Sequence, residues 1–127
     1  MTEGYIYCIQ RITGGPVKIG WATDPHTRMA QLQTGVEAPL RLLGCCPGTM
    51  GLEKAIHEAF AVFRLGGEWF DPAPEIIDLS SDWAAQMQSD APSYSGTIDY
   101  LEKASAALAK HARALRSEML QKYGRAA

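Results

Sequence analysis

GYIYCIQRITGGPVKIGW, residues 4–21, is the stretch whose reading decides the fold. Residues 4–10 are rich in β-branched and aromatic side chains and read as a strand. Thr13-Gly14-Gly15-Pro16 is a turn cluster. Residues 17–21, VKIGW, read as a second strand, so the two form a hairpin. Downstream of the hairpin, Asp24 is an N-cap residue, and Pro25 suits the first helical position, where its missing N–H costs nothing. Met29 and Leu32 give that helix a short apolar stripe. Thr34-Gly35 ends it, with glycine expected as a left-handed cap. Residues 39–46, PLRLLGCC, read as a third strand closed by Pro47-Gly48.

The strongest helical period follows at residues 51–63, GLEKAIHEAFAVF. Leu52, Ala55, Ile56, Ala59, Phe60 and Phe63 fall on one stripe, and Glu53 and His57, four apart, share another face. GGEWFDPAP reads as irregular, residues 74–87 as another helix, and residues 88–96 as a polar linker. Residues 98–123 read as a long helix with Leu101, Leu108 and Leu115 at heptad spacing, widened by Ala104, Ala112 and Met119; Thr97 caps its start and Gly124 its end. The expected fold class is α/β (α+β): a three-stranded, mainly antiparallel sheet of residues 4–10, 17–21 and 39–46 flanked by helices. Residues 1–72 form the domain and residues 73–127 a helical extension.

The chain has 127 residues, 46% hydrophobic, and a net charge of −2. That balance argues mildly against a generic nucleic-acid binder, which is usually basic. The charge is unevenly spread. Residues 71–97 carry Asp71, Glu75, Asp78, Asp82 and Asp90 with no lysine or arginine, whereas residues 98–127 carry six basic residues against three acidic ones. A basic end can attract phosphate, or it can be a solvated helix face. The cysteines Cys8, Cys45 and Cys46 are odd in number, two of them adjacent, so no disulfide framework arises. A zinc site with His57 lacks any recognisable spacing. No stretch approaches the about 20 apolar residues of a membrane span, and a cytoplasmic location is expected.

Single residues here carry little chemistry, but their order does. The chain resembles the GIY-YIG nuclease superfamily over residues 4–70. Tyr5-Ile6-Tyr7 matches the first motif, with Tyr5 in place of its glycine. Lys18-Ile19-Gly20 matches the second about ten residues later. Arg28 falls where the family's catalytic arginine stands, and Glu53 where its metal-binding glutamate stands. VKIGWATDPHTRMAQLQTG, LEKAIHEAF and RLGGEWF are similar to the branch found in phage and bacterial proteins.

The resemblance implies a DNA endonuclease using one Mg²⁺ or Mn²⁺ per site. Glu53 would hold the metal, Arg28 would stabilise the transition state, and Tyr7 would orient or activate water. Lys18 stands where the family usually has a second tyrosine; it either holds phosphate or, desolvated and neutral, accepts a proton. His57, Arg64 and Trp21 are candidate substrate contacts, with packing as the other reading of Trp21 and a supporting role as the other reading of His57. Glu68 is expected to pair with Arg64 or Arg28. The alternatives are a DNA-binding module on the same fold that no longer cuts, and an interaction domain that dimerises through the helix at residues 98–123. That apolar stripe either folds back on the domain or pairs with a second chain as a homodimer.

Overall fold

The structure, a computed structural model, describes residues 4–104 together with Arg113, Arg116, Ser117, Leu120 and Gln121. The hairpin forms as its sequence dictates. β1 (Gly4–Arg11) and β2 (Val17–Ala22) pair antiparallel from Tyr5↔Ala22 to Gln10↔Val17. Gly14 and Gly15 between them take φ of +98° and +92°, which only glycine adopts without strain. β3 (Leu40–Gly48) pairs antiparallel with the other edge of β1.

The sheet is larger than the three strands expected. β4 (Arg64–Gly66) and β5 (Trp69–Phe70) form a small hairpin that joins the free edge of β2, so the five-stranded order is β3-β1-β2-β5-β4. Gly67, at φ +56°, turns this hairpin. Strands of two and three residues are too short to show a period, which is why GGEWFDPAP reads as irregular.

Alternation along the strands makes two apolar layers. Tyr7, Ile9, Leu40 and Cys45 lie on the face covered by α1 (Pro25–Gln33), where Met29 and Leu32 pack. Ile6, Cys8, Val17, Ile19 and Cys46 lie on the opposite face, under α2 (Met50–Ala59), α3 (Pro74–Met87) and α4 (Ser95–Ala104). α3 sits tightly against β3, because a Cβ at Gly44 would strike the Ser80 carbonyl and the Ala84 amide. Trp83, Ile98 and Leu101 are fully buried in that second layer. Helices on both faces and the antiparallel sheet bear out the α+β class.

Four local expectations are corrected. α2 ends at Ala59 and the chain continues as a 3₁₀ turn at Ala61–Phe63, because Phe60 leaves helical geometry. α1 ends at Thr34 in a right-handed conformation, and Gly35 is not left-handed; its N–H bonds back to the Leu32 carbonyl instead. The last two residues of the expected linker, Ser95 and Gly96, already belong to α4. Thr97 therefore lies inside that helix, not at its start. Its hydroxyl donates to Asp82 Oδ2 at 2.5 Å, tying α4 to α3.

Leu101 is covered by its own chain. Arg116 pairs with Glu102 of α4. The rest of the expected stripe at Leu108, Leu115 and Met119, together with Ala112 and the Gly124 cap, lies outside the described residues. The thiols of Cys8, Cys45 and Cys46 are buried, and burial pushes Cys8 to about 12 and Cys45 to about 11, so both stay protonated and inert.

The Thr97–Asp82 bond gives a first expected result. Thr97→Val keeps the shape but deprives the Asp82 carboxylate of its partner, and a hydrogen bond to a charged group is worth about 1.5–3 kcal/mol. Urea denaturation of the full chain should show that loss. An unchanged midpoint would mean that α4 is held by its apolar contacts, Ile98 and Leu101 in the core and Tyr100 stacked on Phe60.

Candidate active site

The candidate residues come from four elements and meet where β5 stops pairing with β2. β5 covers only Val17 and Lys18, leaving Ile19 as the last edge residue with partners. The Ile19 N–H donates to the Glu68 carbonyl at 3.0 Å. His57 Nε2 lies 2.8 Å from the Ile19 carbonyl. A carbonyl only accepts, so His57 carries its proton on Nε2 and donates it there. The same ring sits edge-on to Phe70, its centroid 5.1 Å away. His57 thus pins α2 to the sheet, which is the supporting role rather than a substrate contact. Thr49 starts α2 by capping Leu52 N–H, which places Glu53 in the first turn facing the same edge.

Tyr7 and Gly20 are register partners on the α1 face of the hairpin. The Tyr7 ring lies across Gly20 so closely that a Cβ there would overlap the phenol oxygen. The glycine of the second motif is therefore a steric requirement of the tyrosine in the first. Burial raises the Tyr7 pKa, and Glu68 and Glu53 add to the rise, while Arg28 lowers it by hydrogen bonding to the phenol and by its charge. Tyr7 is a neutral phenol at pH 7. Arg28 itself is exposed on α1, with Nη1 also donating to Gln31 Oε1 at 3.2 Å.

Lys18 and Glu68 form an ion pair at 3.0 Å, with the Lys18 side chain 12% exposed. The ammonium also lies 5.5 Å from the centre of the Trp69 ring. Glu68 thus pairs with Lys18 and not with Arg64 or Arg28, because β5 runs beside β2. An ion-paired ammonium suits the phosphate-holding role of Lys18 rather than the neutral proton acceptor. Burial raises the Glu53 pKa, the charge of Glu68 raises it further, and His57 and Lys18 pull the other way. Among the described residues no group of three or more His, Cys, Asp or Glu gathers as a metal cage.

The structure thus brings Tyr7, Lys18, Arg28 and Glu53 into one electrostatic neighbourhood, with Glu68 added. Two candidates lie elsewhere. Trp21 packs with the layer opposite Tyr7 and donates from Nε1 to the Gly48 carbonyl at 2.8 Å, so its packing reading holds. Arg64 is exposed and donates from Nε to Gly67 O of its own hairpin at 2.8 Å. Sequence reasoning gives Glu68 the wrong partner, because β5, which carries it to the edge of β2, is too short to show a strand period.

No helix among the described residues is long and apolar enough to cross a membrane. No curated protein and no solved structure matches the chain. Residues 4–87, from the first strand to the end of α3, match the T5orf172 domain. The match takes in β1, β2, α1, α2 and β5 in full, and with about two thirds of its length accounted for, the chain belongs to the T5orf172 domain family, whose fold is related to the nuclease-like GIY-YIG fold.

Proposed function

We propose that the chain is a divalent-metal-dependent endonuclease that hydrolyses phosphodiester bonds in DNA. The observation that carries this reading is the shared neighbourhood of Tyr7, Arg28, Glu53, Lys18 and Glu68, drawn from both strands of the hairpin, both flanking helices and the β5 edge. A merely structural set of these residues would be spread over several faces. Here a neutral phenol is hydrogen-bonded to a guanidinium and feels the charge of two carboxylates, Glu68 and Glu53.

The donor set fits a hard cation that keeps most of its waters. Mg²⁺ takes one or two carboxylates and resists full dehydration, so a protein cage is not required. Burial and then the charge of Glu68 raise the Glu53 pKa, and a cation bound at the carboxylate would offset both. Glu53 would hold the ion, and Mn²⁺ would serve in its place. When bound, it would supply Lewis-acid withdrawal of charge from a phosphate oxygen.

The remaining work belongs to the side chains. The Tyr7 hydroxyl, protonated at neutral pH, orients the attacking water through its lone pairs. The Arg28 fork next to it is placed to take charge developing on the non-bridging phosphate oxygens. Lys18 holds the phosphate electrostatically once it lets go of Glu68. The test is nicking of supercoiled plasmid by the full chain with Mg²⁺ or Mn²⁺ against EDTA. Metal-dependent conversion to open circles is the expected result, whereas binding without any conversion would favour the module that no longer cuts. Glu53 must be ionised to act, so activity should fall as pH drops through its raised pKa, at a higher pH than an ordinary carboxyl would give.

A further inference from the structure

A cavity at one end of the sheet lies outside the candidate active site. It has a volume of about 450 Å³ and opens at the end of the sheet where β1 begins and β2 and β3 finish. Cys45 and Pro47 of β3 form its base, and Tyr5, His26, Gln86 and Tyr94 stand around it. Its size falls in the range of about 300–1,000 Å³ typical of ligand sites.

Three features bear on what it takes. First, its lining draws on three separate parts of the chain, with the half-buried Tyr5 of β1 and the exposed His26 of α1 beside the turn before α4. Aromatic faces with a side-chain amide at the rim suit a flat heterocycle with polar edges. Second, Tyr94 is held at φ +56°, the single non-glycine residue in the left-handed region among those described. Its side chain is 4% exposed and packs in the second apolar layer, so the strained residue fixes the course of the chain along the rim of the cavity. Third, Tyr5 and Tyr7 point to the same face of β1, two residues or about 7 Å apart. The cavity therefore starts one side-chain step from the phenol assigned to the attacking water. Tyr5 replaces the glycine of the first motif, so its ring supplies a wall that a glycine would leave open.

We infer that this cavity is a nucleobase subsite, taking one unstacked base of the DNA strand next to the phosphate that is cut. The inference rests on the nuclease reading for its substrate class. The base stacks against Tyr5, with His26 closing the solvent side and Gln86, whose Oε1 already accepts from the Ser93 N–H, offering its Nε2 to the polar edge. Ring stacking accepts any base, so the subsite fixes the position of the strand more than its sequence.

The test is an abasic scan. The full chain is bound, without divalent metal, to a single-stranded DNA in which each nucleoside in turn is replaced by an abasic residue; the parent strand is separately cut with Mg²⁺ to locate the scissile phosphate. One position beside the cut should lose affinity about 5- to 150-fold, the cost of a lost base–aromatic stack. Tyr5→Ala should bind the unmodified strand as weakly as the parent protein binds that abasic strand, and Tyr5→Phe should behave as the parent. Should Tyr5→Ala fail to fold, the exposed His26→Ala reads the same wall and must shrink the abasic penalty. A flat scan by a chain that binds and cuts the unmodified strand overturns the subsite and leaves the nuclease reading standing. A chain that neither binds nor cuts the single strand overturns the subsite, and one that also fails to nick plasmid overturns the nuclease reading with it.

Discussion

Replacing Glu53 by glutamine is expected to reduce Mg²⁺-dependent cleavage to the uncatalysed background while leaving the fold intact and, at neutral pH, slightly more stable. Glutamine keeps the size of the side chain but offers no negative charge to a divalent ion, for which carboxylate is the natural ligand. Glu53 lies beside Leu52 and Ala55 but outside the apolar stripe, so no core volume is lost.

The stability sign follows from its raised pKa. Burial and the charge of Glu68 outweigh the benefit a carboxylate draws from the first turn of α2, so the folded state binds the Glu53 proton more tightly than the unfolded state does. That favours folding at low pH and is lost as pH rises through the folded-state pKa. At neutral pH the charged carboxylate is a burden that glutamine removes, and below the ordinary value of 4.5 the two proteins should be alike. Denaturation at neutral and at acid pH checks this beside the nicking assay. Full cutting by a folded Glu53→Gln would rule out metal held by this glutamate.

The hairpin and the helices were legible because each spans enough residues to show its period. Residues 4–10 and 17–21 alternate, and residues 51–59 repeat at helical spacing with Thr49 as cap. What sequence could not give was set by partners distant in the chain. β4 and β5 are too short to announce themselves, and they exist because β2 offers them an edge. Thr97 has the composition of a cap but is drawn into the helix, where Asp82 meets it.

The same division holds in the site. Tyr7, Arg28 and Glu53 are candidates through the resemblance to the GIY-YIG superfamily, which rests on several motifs in order. The pairing of Glu68 with Lys18 depended on β5 lying beside β2, and the role of His57 on an edge carbonyl left without a strand partner. Trp21 could not be assigned to a face until strand alternation was anchored: with Tyr7 over Gly20, Trp21 must point the other way.

Arg28→Ala should lower the cleavage rate about 10²–10³-fold, the scale of removing one preorganised donor to a developing charge. The loss should appear in kcat, with DNA affinity nearly unchanged, because a fork aimed at charge that exists only in the transition state adds little to ground-state binding. Arg28→Lys should restore little of it, since an ammonium is a point charge and cannot make two parallel bonds to phosphate oxygens. Neither change should cost much stability: Arg28 is exposed, and its contact with Gln31 is a surface bond. A second effect separates this role from simple attraction of DNA. Arg28 is the group that lowers the Tyr7 pKa, so its removal drives the phenol higher still. Any alkaline rise in rate that depends on ionised Tyr7 should then move to higher pH in Arg28→Ala and vanish in Tyr7→Phe. A variant with weaker DNA binding, unchanged kcat and an unmoved pH profile would make Arg28 a surface contact for the DNA backbone, and the transition-state role would have to pass to Lys18, the other cation at this edge.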